Sequence, residues 1–242
     1  MVDTLQWLAL EVKNLDRAQS FYEAFLDLDV REEREHETEL AAGDSSLILR
    51  EPGDVPRGGL HTHYAFSIPH DEYDRWYELL DERFDLIEHT FGEQKSLYFY
   101  DMAGNCVELG QSDVDGPGID GIFEVVLEVE SLPVAHDFYE ALGFETIDVG
   151  DERSRVRLTS GTFDIELWEP QLGLADARGG VHVDIGIEMD TSESDDETDT
   201  SERFPETVRN TALGIEAVNA GYRIRDPDGH YVTLVETNRA NS

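Results

Sequence analysis

The chain has 242 residues, with 55 Asp+Glu against 18 Lys+Arg, a formal net charge of −37 and only two lysines, Lys13 and Lys95. A surface this acidic repels nucleic acid and anionic membranes, which excludes both as expected partners. It reads instead as adaptation to high salt, where screening weakens self-repulsion and carboxylates keep the surface hydrated.

Met1-Val2-Asp3-Thr4-Leu5 has no basic segment leading into an apolar core, and no apolar run approaches the roughly 20 residues that span a bilayer, so a cytoplasmic protein is expected. Trp7-Leu8-Ala9-Leu10-Glu11-Val12 reads as a strand, and Asn14-Leu15-Asp16 opens a helix. Ala18, Phe21, Tyr22 and Phe25 recur at i, i+3, i+4 and i+7, the apolar stripe of a helix lying on a sheet. After a turn at Gly43-Asp44, Ser46-Leu47-Ile48-Leu49 is a second strand, and Pro52-Gly53 and Pro56-Arg57-Gly58-Gly59 form a linker.

A second unit follows, with strand residues His61-Thr62-His63-Tyr64-Ala65-Phe66-Ser67-Ile68 and a helix around Tyr73, Trp76, Tyr77 and Leu80. It closes with Tyr98-Phe99-Tyr100-Asp101-Met102-Ala103-Gly104-Asn105-Cys106-Val107-Glu108-Leu109, aromatic and β-branched strand residues around an Asp-x-x-Gly-Asn turn. Cys106, the only cysteine, permits no intramolecular disulfide or Cys-rich zinc site and reads as a small core residue.

Past Asp113-Val114-Asp115-Gly116-Pro117-Gly118 the pattern starts again. Val129, Leu132, Phe138, Tyr139, Glu140 and Ala141 match Val12, Leu15, Phe21, Tyr22, Glu23 and Ala24 at one constant offset of 117 residues. The third unit ends in Phe163-Asp164-Ile165-Glu166-Leu167-Trp168, over Ser45 onward with a one-residue gap. The fourth runs from His182-Val183-Asp184-Ile185-Gly186-Ile187, over His61 to Phe66, to Arg225-Asp226-Pro227-Asp228-Gly229-His230-Tyr231-Val232-Thr233-Leu234, over Tyr100 to Leu109. Internal duplication is thus legible without any second sequence. The acidic stretch 190–204 is too polar to bury and reads as a mobile, solvated loop.

His63-Tyr-Ala-Phe-x-Ile, a helix, then Tyr-Phe-x-Asp-x-x-Gly-Asn-x-x-Glu108 resembles a βαβββ module of the vicinal oxygen chelate superfamily, which includes glyoxalase I, fosfomycin-resistance enzymes, extradiol dioxygenases and bleomycin-resistance proteins. The resemblance implies an α+β protein of four βαβββ modules in two tandem domains, residues 1–112 and 119–242. In this superfamily a metal cup is built by two modules, with ligands from the first and last strand of each. Module one offers only Trp7 and Ile48, module two His63 and Glu108, module three Glu124 and Glu166, and module four Asp184 and Thr233. Pairing of neighbours would give one cup with His63 and Glu108 alone and another with Glu124, Glu166 and Asp184. Crossed pairing of module two with module three gathers His63, Glu108, Glu124 and Glu166 around one ion and leaves the other cup dead; this arrangement is the one expected. It can arise within one chain or across a homodimer.

The ligand set resembles that of glyoxalase I, with Glu124 standing where a Gln or His is usual. The resemblance implies one divalent ion, zinc, nickel, manganese, cobalt or iron(II), and a small oxygenated substrate. Glu108 would remove the C1 proton of a hemithioacetal, Glu166 would return it to C2, and the metal would stabilise the enediolate. Fosfomycin-resistance enzymes share the Thr62 to Phe66 string but place a His where Trp7 stands and a Thr where Ala9 stands. A ring-cleaving dioxygenase needs two His and one Glu in one cup. A metal-free binder of bleomycin-resistance type would instead use Trp7, Trp168, Phe66 and Tyr100 to line an apolar groove. His61 and His182 suit the cup rim, and His230 is expected to be exposed.

Overall fold

The computed structural model describes residues 2–53, 60–151, 154–170, 183–190, 203–219 and 221–237. The linker residues Pro56 to Gly59, His182 and most of the acidic stretch (191–202) lie outside the described residues, as does the side chain of His61. Module one consists of β1 (Val2–Glu11), α1 (Leu15–Leu26), β2 (Val30–Arg34), β3 (Glu37–Ala42) and β4 (Ser45–Arg50). Asn14 caps α1, its side-chain oxygen accepting the Arg17 N–H at 2.9 Å, and Leu15, Ala18, Phe21, Tyr22 and Leu26 form the buried stripe. Asp27 ends the helix in the left-handed region (φ 56°).

The same plan recurs three times. Module two has β5 (Leu60–Pro69), α2 (Tyr73–Asp81), β6 (Ile87–Phe91), β7 (Gln94–Tyr100) and β8 (Cys106–Ser112). Module three has β9 (Gly121–Glu128), α3 (Leu132–Leu142), β10 (Glu145–Val149), β11 (Arg155–Thr159) and β12 (Asp164–Trp168). Module four has β13 (Val183–Asp190), α4 (Glu206–Thr211), β14 (Gly214–Val218), β15 (Gly221–Arg225) and β16 (Tyr231–Thr237). The sequence did not mark α4; it is six residues long and buries only Val208, too little for a periodic stripe.

Two eight-stranded sheets result, ordered β14-β15-β16-β13-β1-β4-β3-β2 and β10-β11-β12-β9-β5-β8-β7-β6. Module one therefore shares a sheet with module four, and module two with module three, all within one chain. In each module the first and last strands pair in parallel, and the modules join through their first strands, β1 with β13 and β5 with β9, antiparallel. The repeat extends to register, since Glu124 faces Asp164 across β9/β12 as Trp7 faces Ser46 across β1/β4. Each curled sheet turns one face to the helices and core and the other to a cup.

The main apolar core, separate from a small cluster of Tyr98, Tyr100 and Cys106, runs through all four modules, from Leu8 and Tyr22 to Tyr139 and Ile185. Two buried tyrosines tie module to module across it. Tyr22 on α1 donates to Asp101 Oδ2 at 2.8 Å and meets the Tyr64 hydroxyl, while Tyr139 on α3 donates to Asp226 Oδ2 at 2.9 Å. Both aspartates open the turns read from the sequence. Asp101 Oδ1 accepts the N–H groups of Ala103 and Asn105 at 2.8 Å each, and Gly104 supplies the positive φ of 90° that the turn needs. Tyr22→Phe should cost about 1.5–3 kcal/mol in urea unfolding, because it removes a buried hydrogen bond to a carboxylate while leaving the ring packing intact. No described helix is long and apolar enough to cross a membrane.

Candidate metal centre

The cup of the second sheet brings the expected residues onto neighbouring strands. Ala65 on β5 is the register partner of Glu108 on β8 and of Glu124 on β9, so one short methyl side chain separates two carboxylates. Two residues along β5, His63 lies opposite Val126, which in turn lies opposite Glu166 on β12. Strand alternation puts all four side chains on the concave face. His63, Glu108, Glu124 and Glu166 are all buried, none more than 6% exposed.

Three of the four converge. His63 Nε2 stands 3.2 Å from Glu108 Oε2, and ligand-capable atoms of His63, Glu108 and Glu124 all lie within 4.8 Å of one another. Tyr98 and Trp168 meet the His63 ring edge-on, with centroids at 5.4 and 5.7 Å, and fix its orientation. Glu166 faces the same cavity but is turned to Arg155, whose Nη1 donates to it at 2.5 Å. Arg155 also pairs with Asp148 at 2.6 Å. Arg157, two residues on and on the same face of β11, donates to Asp164 at 2.7 Å and lies 3.2 Å from Glu124.

Burial and mutual repulsion set the charges. Desolvation pushes the Glu124 carboxyl up to about 8, with Glu108 and Glu166 adding to the rise and Arg157 opposing it. Burial alone would raise Glu108 as well, but the His63 ring beside it, helped by Ser96 and Tyr98, holds it below its ordinary value. Burial pulls His63 down, and the carboxylates of Glu108, Glu124 and Glu166 outweigh it, so the imidazole sits above its usual range.

Among the described residues, Glu108 Oε2 and Glu124 Oε1 are buried without a well-aligned hydrogen bond. Each faces one positive group at 3.2 Å, His63 Nε2 for Glu108 and Arg157 Nη2 for Glu124, and a divalent ion would complete their remaining lone pairs. One imidazole nitrogen and two carboxylate oxygens, already close together, fit a divalent ion of the zinc, nickel, manganese, cobalt or iron(II) group. They open onto a cavity of about 820 Å³. A second group, His136, Asp137 and Glu140, lies on α3, largely exposed, and His136 Nε2 is taken up by Thr146 Oγ1 at 2.6 Å.

The cup of modules one and four is filled differently. Trp7 occupies the position matching Glu124, and its indole lies over Gly186, where a Cβ would come within 2.2 Å of the ring. Asp184, matching His63, is held by Arg50 at 2.9 Å and by the Thr233 hydroxyl at 2.9 Å. A guanidinium and an indole thus stand where module pairing would otherwise build a metal cup.

Some expectations about individual residues do not hold. His230 is fully buried, not exposed, because its ring lies 3.0 Å from the Glu128 carbonyl and its backbone N–H closes the Asp226 turn at 2.7 Å. Trp7, Trp168, Phe66 and Tyr100 do not form one groove. Phe66 lies in the core, Trp7 belongs to the other sheet, and of the four only Trp168 lines the large cavity. Arg155 and Arg157 were not singled out from the sequence. The alternation Arg-Val-Arg-Leu-Thr, with Val156 and Leu158 buried, was the available signal, since it puts both arginines on the face opposite the core.

No family model matches the chain. It is 28% identical over 116 residues, covering 45% of this chain and 84% of the relative, to the metallothiol transferase FosB of Staphylococcus haemolyticus. It is likewise 28% identical over 116 residues to the FosB of Staphylococcus saprophyticus, covering 77% of that protein. Among solved structures, it resembles glyoxalase I from Zea mays (TM-score 0.67, 20% identity, 98% of this chain and 92% of that one). It also resembles a putative dioxygenase from Bacillus subtilis (TM-score 0.68, 14% identity, 97% and 85%). Sequence similarity spanning most of FosB, and a fold shared end to end with glyoxalase I in four βαβββ modules, identify the chain as a member of the vicinal oxygen chelate superfamily.

Proposed function

We propose that this protein is a divalent-metal-dependent lyase or isomerase of the glyoxalase type, acting on a small substrate with two adjacent oxygen atoms. The convergence of His63, Glu108 and Glu124 to within 4.8 Å at the floor of a large cavity carries this reading. The similarity to metallothiol transferases supports metal-assisted chemistry on a small molecule.

In this reading His63, Glu108 and Glu124 hold the ion, and Glu166 is the fourth ligand once its carboxylate is shared between the ion and Arg155. When bound, the ion supplies Lewis-acid polarisation of both substrate oxygens. Glu108, on β8, takes the proton from one substrate carbon; Glu166, on β12 of the partner module, delivers a proton to the adjacent carbon. Arg155 and Arg157 orient Glu166 and Glu124 and offset part of the negative charge that three buried carboxylates bring together. Tyr98 and Trp168 keep the imidazole in place and narrow the floor of the cup.

The test is metal binding. Protein purified without chelator and dialysed should retain about one divalent ion per chain. Uptake by the metal-free protein at pH 7 should release at least one proton, seen calorimetrically as a binding heat that depends on the buffer. Glu124, with its carboxyl pushed up to about 8, is protonated in the metal-free protein at pH 7 and must lose its proton to become a ligand. Affinity therefore rises with pH through the range in which Glu124 and the His63 imidazole, itself held above its usual range, lose their protons, and Glu124→Gln should release about one proton fewer. A chain that neither retains nor takes up a divalent ion would overturn the reading and favour a metal-free binding protein.

A further inference from the structure

The cavity above the metal centre reaches the two outermost strands of its sheet, β6 and β10. Outer strands are the most exposed part of each module, and on a chain of net charge −37 they are expected to be polar, as β2 is with its sequence Val-Arg-Glu-Glu-Arg. Two side chains break that rule at the cavity. Phe91 on β6 is 58% exposed and Val149 on β10 is 59% exposed, and both line it. Phe123 and Trp168 line the same cavity, and Trp168 meets the His63 ring at its base. Gly110 leaves the room for Phe123, since a Cβ there would come within 2.9 Å of its ring.

The buried inner lining thus carries the oxygen and nitrogen donors of His63, Glu108, Glu124 and Glu166, and the exposed outer lining is mixed, with Phe91 and Val149 standing as its large apolar groups among His89, Gln94, Asp148 and Asp151. A substrate small enough to be satisfied by the floor alone would leave Phe91 and Val149 in water, where apolar area is unfavourable. We propose that Phe91 and Val149 determine specificity by receiving an apolar substituent, such as an aryl or branched alkyl group, on a molecule whose adjacent oxygens face His63, Glu108 and Glu124. This rests on the metal-chelation reading above. The occupant is a small amphipathic molecule and not a second protein, because the two side chains are continuous with the cavity lining. Ile87 and Ile147, on the same strands, are 43% and 53% exposed and do not line it.

Two chelators with adjacent oxygens provide the probes: acetohydroxamate, with only a methyl group, and benzohydroxamate, with a phenyl ring. On protein loaded with one equivalent of zinc, benzohydroxamate should bind at least about tenfold more tightly. Phe91→Ser combined with Val149→Ser should reduce that preference to about threefold or less while leaving zinc affinity and acetohydroxamate binding unchanged. Both positions are exposed at sheet edges, so folding should be unaffected, and Ile87→Ser with Ile147→Ser should leave the preference intact. Equal binding of the two hydroxamates, or a preference that survives the Phe91 and Val149 substitutions, overturns this inference and spares the metal reading. Binding of neither to the zinc-loaded protein overturns the chelation reading and this inference with it. A change of oligomeric state in the Phe91 and Val149 variant, with the hydroxamate preference kept, would show instead a surface for a second copy of the chain.

Discussion

Glu108→Gln should lower turnover of hemithioacetals formed from methylglyoxal and small thiols by about 10²–10⁴-fold, the range for loss of a positioned general base. The amide matches the carboxylate in shape and can still accept from His63 and Tyr98, so far-UV circular dichroism should change little, while loss of the charge beside His63 should lower the unfolding midpoint of the metal-free protein. It cannot accept a proton from carbon. The measurement is kcat with zinc content determined on the same sample, which separates loss of the base from loss of the ion. Undiminished turnover at full metal loading would remove Glu108 from the mechanism. A comparable loss in Glu166→Gln would support the two-carboxylate scheme.

His63→Ala should have the largest effect on stability. His63 and Glu108 form a buried pair at 3.2 Å, and removing one partner of such a pair typically costs about 3–5 kcal/mol because the other is left as an uncompensated charge. In the metal-free protein the loss should appear at neutral pH as a lower urea midpoint. His63 is what holds Glu108 below its ordinary value. Without the ring, burial raises that carboxyl, so in the variant the penalty is present above the ordinary carboxylate range and is relieved as pH falls and Glu108 takes up a proton. The same substitution should weaken zinc binding at least about 100-fold, since loss of a direct ligand should exceed the 10–100-fold effect of losing an outer partner. A variant as stable as the parent at pH 7, with unchanged zinc affinity, would show that the imidazole neither balances Glu108 nor binds the ion.

The parts of this architecture that were legible in the sequence share one property, burial on a single face. The α1 stripe of Ala18, Phe21 and Tyr22, the Ser46 to Leu49 strand and the Asp101 turn all carried periodic or turn chemistry, and all stand where they were expected. The second strand of each module did not show. β6 is exposed at every position and β2 and β10 nearly so, so neither face is held apolar and no alternation survives. His230 failed for the converse reason: a polar residue after a turn reads as solvent-facing, but a backbone carbonyl from another module was waiting for it.

The sequence alone determined that this protein is a fourfold repeat, and it offered four side chains whose chemistry suits a metal, three of which the fold brings together, because duplication and residue chemistry are properties of a chain read in order. Which modules share a cup was decided only in three dimensions, by antiparallel joining of β5 with β9 and of β1 with β13. Strand pairing at sheet centres depends on backbone hydrogen bonds and on the fit of buried faces, which differ little between one module and its copy. The tertiary structure likewise chose the roles of Arg155 and Arg157. A guanidinium on an alternating strand looks like a surface charge until the neighbouring strands β12 and β9 supply the carboxylates that it holds.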